Sequence, residues 1–524
     1  MKPSQNTFPI YPSIFNDVIG PVMRGPSSSH CAAALRIGRM ARDLMDGNIQ
    51  EVLVELDTHG SLATTYFSHG SNMGLCGGLL GWEAIDERMI GSPQAIREAG
   101  IRVVVEIKEM DVAHPSTYKL TLRSTSEVHT LTAISIGGGM VAVTEIDGFP
   151  VNITGDYFET LVYFDVDCSE AFDFLKKGLK AEELFLVEHA GHSMVEVKAR
   201  CFLDEKIISG LSQLGARGFK TISPVLPVLS RKGISVPFIS CEEMLEYNLG
   251  KDLQIWELAL RYESARGDLS PEEVFQRMRE IVDLMRESIR LGLEGTHYPD
   301  RILGCQSIGY QMEMERGHLL DGGMLNQIIL YVTAAMENKS AMGVIVAAPT
   351  AGSCGGLPGA IIGAASAMGL SPDDMTRAML AAGLVGVFIA AHATFAAEVG
   401  GCQAECGSGS GMAAAGLVTL AGGSARQATA AASLALQNIL GMICDPVADR
   451  VEVPCLGKNV MAASNALACA NMALAGYQEV VPLDQVIEAM DRVGKSLPFE
   501  LRCTGLGGLS LTKAAKEIEL RLGH

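Results

Sequence analysis

Residues 378–397 read AMLAAGLVGVFIAAHATFAA, and residues 341–370 read AMGVIVAAPTAGSCGGLPGAIIGAASAMGL without a single charged side chain. Each run is long enough to span a bilayer. Both are nevertheless built largely of alanine and glycine, and the second is broken by Pro349 and Pro358, which is the pattern of helices packed closely on one another inside a protein. Upstream, residues 241–292 carry many charges at amphipathic helical spacing, and downstream the chain continues as Ala/Gly/Leu-rich helix with short glycine and proline breaks. Residues 237–524 are therefore expected to form an all-α domain. A transporter or channel made of the same helices is the competing class, and extraction without detergent separates the two.

At 524 residues the chain exceeds what one ordinary core accommodates, so several domains are expected. Its 13 cysteines are odd in number and scattered, and the sequence starts with no charged-then-apolar leader, so a reducing cytoplasm is expected. The 60 acidic and 41 basic residues give a net charge of -19, which offers no footprint for nucleic acid and repels anionic membrane surfaces. A small molecule is the expected partner.

The first stretch mixes β-rich runs, at 52–56 and 101–107, with helical patterns from Ala32 to Met45 and Ser92 to Ala99. Gly137-Gly138-Gly139 leads into the alternating run 140–146 and the turn Asp147-Gly148. An α/β domain over 1–155 follows. Residues 156–230 then read as strand (Thr160 to Val166), helix (Ser169 to Leu179), two strands (Leu184 to Glu188, Ser193 to Phe202), helix (Asp204 to Leu214) and strand (Lys220 to Ile222). That βαββαβ order is ferredoxin-like α+β and resembles an ACT domain, a ligand-binding or dimerisation module. A structural spacer reads the same way.

Three cysteines of the helical half stand at helix-breaking positions: Cys402 in GGCQAECG (400–407), Cys444 in ICDPV (443–447) and Cys455 in EVPCLGKN (452–459). A thiolate at such a break lies beside unpaired backbone N–H groups that can stabilise the sulfides of an iron–sulfur cluster. Spacing alone also allows three ordinary core cysteines, because no compact C-x-x-C is present. Cys406, four residues after Cys402, reads as a packed thiol or, if that turn is helical, a spare ligand, and Cys354, Cys469 and Cys503 read the same way.

The segments 400–405, 412–416, 444–447, 453–455, APTAGS (348–353) and TGLGGL (504–509) closely resemble the α part of iron–sulfur-dependent L-serine dehydratases. Ile19-Gly20-Pro21 and GPSSSH (25–30) resemble that family's β part, so the two parts look fused with the ACT-like module between them. The separations 444 − 402 = 42 and 455 − 444 = 11 are similar to the family's ligand spacing. The resemblance implies a [4Fe-4S] cluster on Cys402, Cys444 and Cys455, one iron without a protein ligand that acts as a Lewis acid, no pyridoxal phosphate, and conversion of L-serine to pyruvate and ammonia. It also implies a role in amino-acid catabolism and a homodimer.

Dehydration needs a base for the Cα proton, help for the hydroxide leaving group, and a seat for the substrate's charges. His30, His69 and His114 are the candidate proton carriers, all in the N-terminal unit, so a site at a domain interface is expected. Ser27, Ser28 and Ser29 precede a helix and form an anion nest for a carboxylate. Thr350, Ser353 and Asn459 match family positions expected to line the site, and Lys458 is the expected partner of the substrate carboxylate beside them. Lys458 stands where arginine is usual, Ala396-Ala397-Glu398 where Ser-Gly-Ala is usual, and Cys503 where glutamate is usual. Residues 302–306 do not reproduce the family's Thr-Gly-Gly-Asp, and the last twenty residues contain no cysteine. Threonine, cysteine or a larger 3-hydroxy amino acid therefore stand beside serine as substrates, and an amino-acid sensor is a further class.

Overall fold

The computed structural model describes residues 11–165 and 167–522, and these form two compact units, one of residues 27–233 and one of residues 234–522 joined by the segment 11–26. In the first unit a six-stranded sheet runs in the order Arg102–Lys108, Glu51–Asp57, Thr117–Arg123, Val128–Gly137, Met140–Ile146, Phe149–Ile153. Only its first pair is parallel. Alternation makes one face of it apolar: Val52, Val54 and Leu56 lie buried with Tyr118, Leu120 and Leu122. The helices Ala33–Leu44 and Ser71–Leu79 pack tightly because a Cβ on Gly74 would lie 2.1 Å from the Cys31 carbonyl oxygen. No side chain fits there.

The same unit carries a four-stranded antiparallel sheet in the order Gly218–Ile222, Phe158–Phe164, His192–Ala199, Glu183–His189, with helices Ser169–Gly178 and Glu205–Gln213 in the connections. The βαββαβ succession read from the sequence is present. Val166, the end assigned there to the first strand, lies outside the described residues, and the strand stops at Phe164.

The second unit is helical. Its central element is Pro372–His392, started by a Ser371 cap whose hydroxyl accepts from the Asp374 N–H while the Asp374 carboxylate accepts from the Ser371 N–H. It is the one described helix long and apolar enough to cross a membrane, and 78% of that window is buried within the protein. Around it pack Ile255–Gly267, Pro271–Glu294 and Ser408–Leu420. In the uncharged run 341–370, Pro349 separates a short strand Ile345–Val346 from a turn Ala351–Ser353, whereas Pro358 does not break the run as expected but lies in the first turn of the helix Gly356–Met368, where its missing N–H costs no helical hydrogen bond.

The N-terminal boundary drawn from the sequence differs from the one observed. Residues 11–26 fold with the helices, not with the sheet of the first unit. The buried Glu263 carboxylate accepts hydrogen bonds from the Ser13 hydroxyl and the Ile14 N–H, and Tyr262 donates to the Pro12 carbonyl at 2.8 Å. Val22–Met23 pairs antiparallel with Ile345–Val346. Ile14 and Val18 press into the central helix at Gly383 and Gly386, where a Cβ on Gly386 would lie 2.1 Å from Val18 Cγ1.

That contact is testable by thermal and denaturant unfolding. Gly386→Ala is expected to lower stability by about 1–3 kcal/mol despite alanine's better helix propensity, because it overpacks the junction. Adding Val18→Ala should recover part of the loss, whereas simple additivity of the two changes would show that the contact is not what matters.

Candidate metal centre

Two helix N-termini bring sulfur to one place in the helical unit. Cys402 opens the turn Gln403–Gly407 that continues into Ser408–Leu420, and Cys455 is the first residue of Cys455–Leu474. Free N–H groups and the positive end of the helix dipole favour a thiolate at both positions. Gln403 fixes the first: its N–H donates to the Met442 carbonyl at 3.0 Å, its Oε1 accepts from Gly441 at 2.8 Å and its Nε2 donates to Met490 at 2.8 Å. Cys444 sits in extended backbone, bridged in parallel to Arg502.

The Cys402 and Cys444 sulfurs and a Glu405 carboxylate oxygen lie within 4.8 Å of one another. Side-chain hydrogen bonds with Cys402 and Cys503, then burial, hold the Cys444 thiol well above the usual thiol range. Burial, followed by the charge of Cys402, pushes Cys406 and Cys455 up as well. Without a cation these sulfurs therefore keep their protons, and a metal that takes them as thiolates would release those protons. Burial also raises the Glu405 carboxyl to about 7, against the pull of the hydrogen bond it accepts from Thr350 Oγ1 at 2.6 Å.

Two lysines supply the compensating charge. Lys458 Nζ is 2.7 Å from Asp445 Oδ1, 2.7 Å from the Ile443 carbonyl and 3.8 Å from Cys402 Sγ. Burial alone would lower its pKa, but Cys402 and Asp445 outweigh that and raise it, so it stays an ammonium. Lys339, fully buried, donates to the Val451 carbonyl, and its charge favours the Cys455 thiolate. Soft sulfur donors, helix N–H groups and fixed cations are what an anionic iron–sulfur cluster requires, so the residues present fit one.

Asn459 ties the parts together. Its Nδ2 donates to the Gly352 carbonyl (2.8 Å), the Cys455 carbonyl (2.9 Å) and Cys406 Sγ (3.5 Å), while Oδ1 accepts from the Gly356 N–H (2.8 Å). Thr350 and Ser353 cap the adjoining turn through reciprocal side-chain hydrogen bonds.

The expected proton carriers gather in the first unit. His30 Nδ1 is 2.8 Å from Ser27 Oγ, its Nε2 is 2.8 Å from Thr65 Oγ1, and its ring meets that of His69 edge-on with centroids 4.7 Å apart. Thr65 donates to the Ser61 carbonyl, Ser61 and Ser116 share a 2.8 Å hydroxyl contact, and the Ser116 N–H donates to His114 Nδ1. His30 and His69 thus touch directly, while His114 is linked to them only through the Ser61 and Ser116 backbone. Ser28 is buried at the start of the turn Ser28–Ala32, and the Ser29 carbonyl accepts from Ser135.

Sequence reasoning assigned no role to Glu405, Lys339 or Asp445, and it favoured packing for Cys503 and Cys406. Glu405 and Asp445 lay inside segments that resemble the family, and Cys503 departed from the usual glutamate; Lys339 carried no signal. Cys354, whose sulfur lies 3.9 Å from Met336 Sδ, is a packed thiol as expected.

The family model described as Serine dehydratase alpha chain matches residues 250–510. The chain is 37% identical over 285 residues to the probable L-serine dehydratase alpha chain of Bacillus subtilis, covering 95% of that relative and 54% of itself. It is 41% identical over 152 residues to the probable beta chain of the same organism, covering 68% of that relative and 29% of itself. To the L-serine dehydratase of Helicobacter pylori it is 27% identical over 500 residues, 96% of that protein and 93% of this one. These matches place the chain among lyases, and its structure holds a cysteine-rich site. The chain belongs to the iron–sulfur L-serine dehydratase family.

Burial, then the neighbouring His69, holds His30 well below its usual value of 6.5. Folded His30 stays neutral where an unfolded histidine takes a proton, so stability is complete above about pH 6.5 and falls as pH drops, by at most about 1.4 kcal/mol per unit for this one group. Denaturant unfolding at a series of pH values should show that slope, and His30→Gln should reduce it.

Proposed function

We propose that this chain removes water from L-serine and releases pyruvate and ammonia, using a [4Fe-4S] cluster held by Cys402, Cys444 and Cys455 and no pyridoxal phosphate. The observation that supports this most directly is the meeting of those buried thiols at two helix N-termini beside the Lys339 and Lys458 ammonium groups. When bound, the cluster would supply a Lewis acid for the β-hydroxyl, turning hydroxide into a better leaving group.

The chain's own residues supply the rest. His69 or His30, kept neutral by burial in the latter case, takes the Cα proton, and His114 is a further candidate for that role. The N–H groups and hydroxyls at Ser27, Ser28 and Ser29 receive the substrate carboxylate. Thr350 and Ser353 orient the hydroxyl side of the substrate, and Lys458 and Asn459 hold the ligand-bearing helix in place as well as lining the site. Loss of the Cα proton and of hydroxide leaves an enamine, which tautomerises to an imine and takes up water to give pyruvate and ammonia. The reaction is redox-neutral.

Within the same reading the protein is a cytoplasmic homodimer, and the four-stranded sheet of residues 158–222 is an ACT-type module.

The test is anaerobic purification and cluster reconstitution, with iron and sulfide analysis, a visible spectrum, and assays of pyruvate and ammonia. Expected are a broad cluster absorption and L-serine turnover that is lost in air. Cys402→Ala should abolish both, and His69→Gln should cut kcat by about 10²- to 10⁴-fold while leaving the absorption intact. A protein that stays colourless after reconstitution overturns the proposal. A coloured protein that turns over threonine or a larger 3-hydroxy amino acid much faster than serine overturns the substrate.

A further inference from the structure

Resting on the L-serine reading above, we propose that Glu405 seats the α-ammonium group of the substrate, and that this carboxylate restricts the site to 3-hydroxy amino acids against 2,3-dihydroxy acids, which carry the same carboxylate and leaving hydroxyl. In that reading Ser27, Ser28 and Ser29 take the substrate carboxylate and a histidine takes the Cα proton, which leaves the ammonium group without a partner. A cation drawn out of water needs a carboxylate or several oxygen acceptors.

The turn that presents Cys402 also presents Glu405. Glu405 follows Cys402 by three residues in Gln403–Gly407, and one of its carboxylate oxygens lies within 4.8 Å of the Cys402 and Cys444 sulfurs. The turn at 350–353 fixes the carboxylate from another side. Thr350 Oγ1 donates to Glu405 Oε1 at 2.6 Å, and a Cβ on Gly352 would lie 3.1 Å from Oε1 and 3.2 Å from Oε2, so glycine leaves the carboxylate just enough room. Among the described residues no donor reaches Oε2, and the side chain keeps partial exposure. In L-serine the amino nitrogen and the hydroxyl oxygen stand on adjacent carbons, so a hydroxyl held beside the sulfurs brings the ammonium group to this carboxylate.

The other charges nearby are committed. Asp445 accepts from Lys458 on one oxygen and from the Leu509 N–H on the other, and Glu337 accepts from the Gln306 N–H and the Ser307 hydroxyl. Lys458 donates to Asp445 and the Ile443 carbonyl, and Lys339 donates to the Val451 carbonyl, so both act on Glu405 through charge alone. Glu398 adds negative charge and no donor. Glu405 is thus an anchored acceptor with one oxygen not engaged. A hydroxyl in place of the ammonium group could donate one neutral hydrogen bond there but brings no charge, and a site built around a charged N–H donor rejects the analogue that lacks it.

The test uses the full chain, reconstituted anaerobically, and two probes without a β-hydroxyl to lose: L-alanine, and L-lactate, which has a hydroxyl in place of the ammonium group. Isothermal titration calorimetry gives both dissociation constants. Wild type is expected to prefer L-alanine by at least about tenfold. E405Q, with the iron and sulfide content and visible spectrum of wild type, should bind L-alanine about 10- to 10³-fold more weakly and L-lactate nearly unchanged. E405D, which keeps the charge on a shorter side chain, should fall between them, and E398Q should match wild type. If E405Q takes up less iron, E405D carries the test: a reduced preference at full iron content supports the proposal, and an intact one overturns it. Wild type that loads a cluster and turns over L-serine but binds both probes alike, or neither, overturns the proposal and leaves the functional reading standing. A preference lost in E398Q and kept in E405Q assigns the seat to the wrong carboxylate and also overturns it. Wild type that takes up no cluster fails the functional reading, and this inference with it.

Discussion

The organising constraint in this protein is electrostatic: several sulfur atoms are held side by side where water does not reach. Burial, then the neighbouring sulfur charge, holds Cys406 and Cys455 above the usual thiol range, and hydrogen bonds with Cys402 and Cys503, then burial, do the same for Cys444. The surroundings answer with two helix N-termini, the Lys458–Asp445 pair and the buried Lys339. Each places positive charge or an N–H group against sulfur. Removing any of them leaves the remaining thiols harder to ionise, so ligand placement and scaffold integrity are one requirement.

Holding that arrangement demands short distances between backbones, and the composition of the helical unit follows from this. Gly356, Gly409, Gly411 and Gly416 lie buried in the helices around the centre, and a Cβ on Gly416 would lie 2.6 Å from Ile361 Cδ1. Alanine and glycine let Ser408–Leu420 pack against Pro372–His392, Gly356–Met368 and Cys455–Leu474 at once. The apolarity that suggests a membrane span is the same property that excludes water from a metal centre. Asn459 then replaces the flexibility such small residues would allow with four directed hydrogen bonds.

The first unit solves a different problem, presenting neutral imidazole at physiological pH. Burial keeps His30 unprotonated, and its two ring nitrogens are each occupied by a hydroxyl, which fixes its orientation. Gly74 admits the Cys31 carbonyl where Ala33–Leu44 packs on Ser71–Leu79, and His30 and His69 meet in the segments just before those two helices. Close glycine packing thus sets the spacing of the imidazoles in this unit, as it sets the spacing of the sulfurs in the other.

Local pattern decided much of this. The period-two alternation at 140–146 and the 3.6-residue spacing from Ala32 to Met45 foretold a strand and a helix to within a residue or so, because those periodicities reflect which face meets the core. The breaks at Cys402 and Cys455 were legible because glycine and proline mark helix ends, and the family resemblance singled out Cys402, Cys444 and Cys455 from 13 cysteines. What spacing cannot encode is which distant segments meet. That residues 11–26 belong with the helices shows in the buried carboxylate of Glu263, some 250 positions away, which takes its hydrogen bonds from Ser13 and Ile14. Cys503 reads mainly as one more packed thiol until the bridge between Cys444 and Arg502 places it beside Cys402 and Cys444, and Glu405 and Lys339 gain their meaning only from the sulfurs around them. Sequence determined the elements and the residue types fit for the chemistry; tertiary structure decided which charges share a buried space, because desolvation acts on neighbours in space and not on neighbours along the chain.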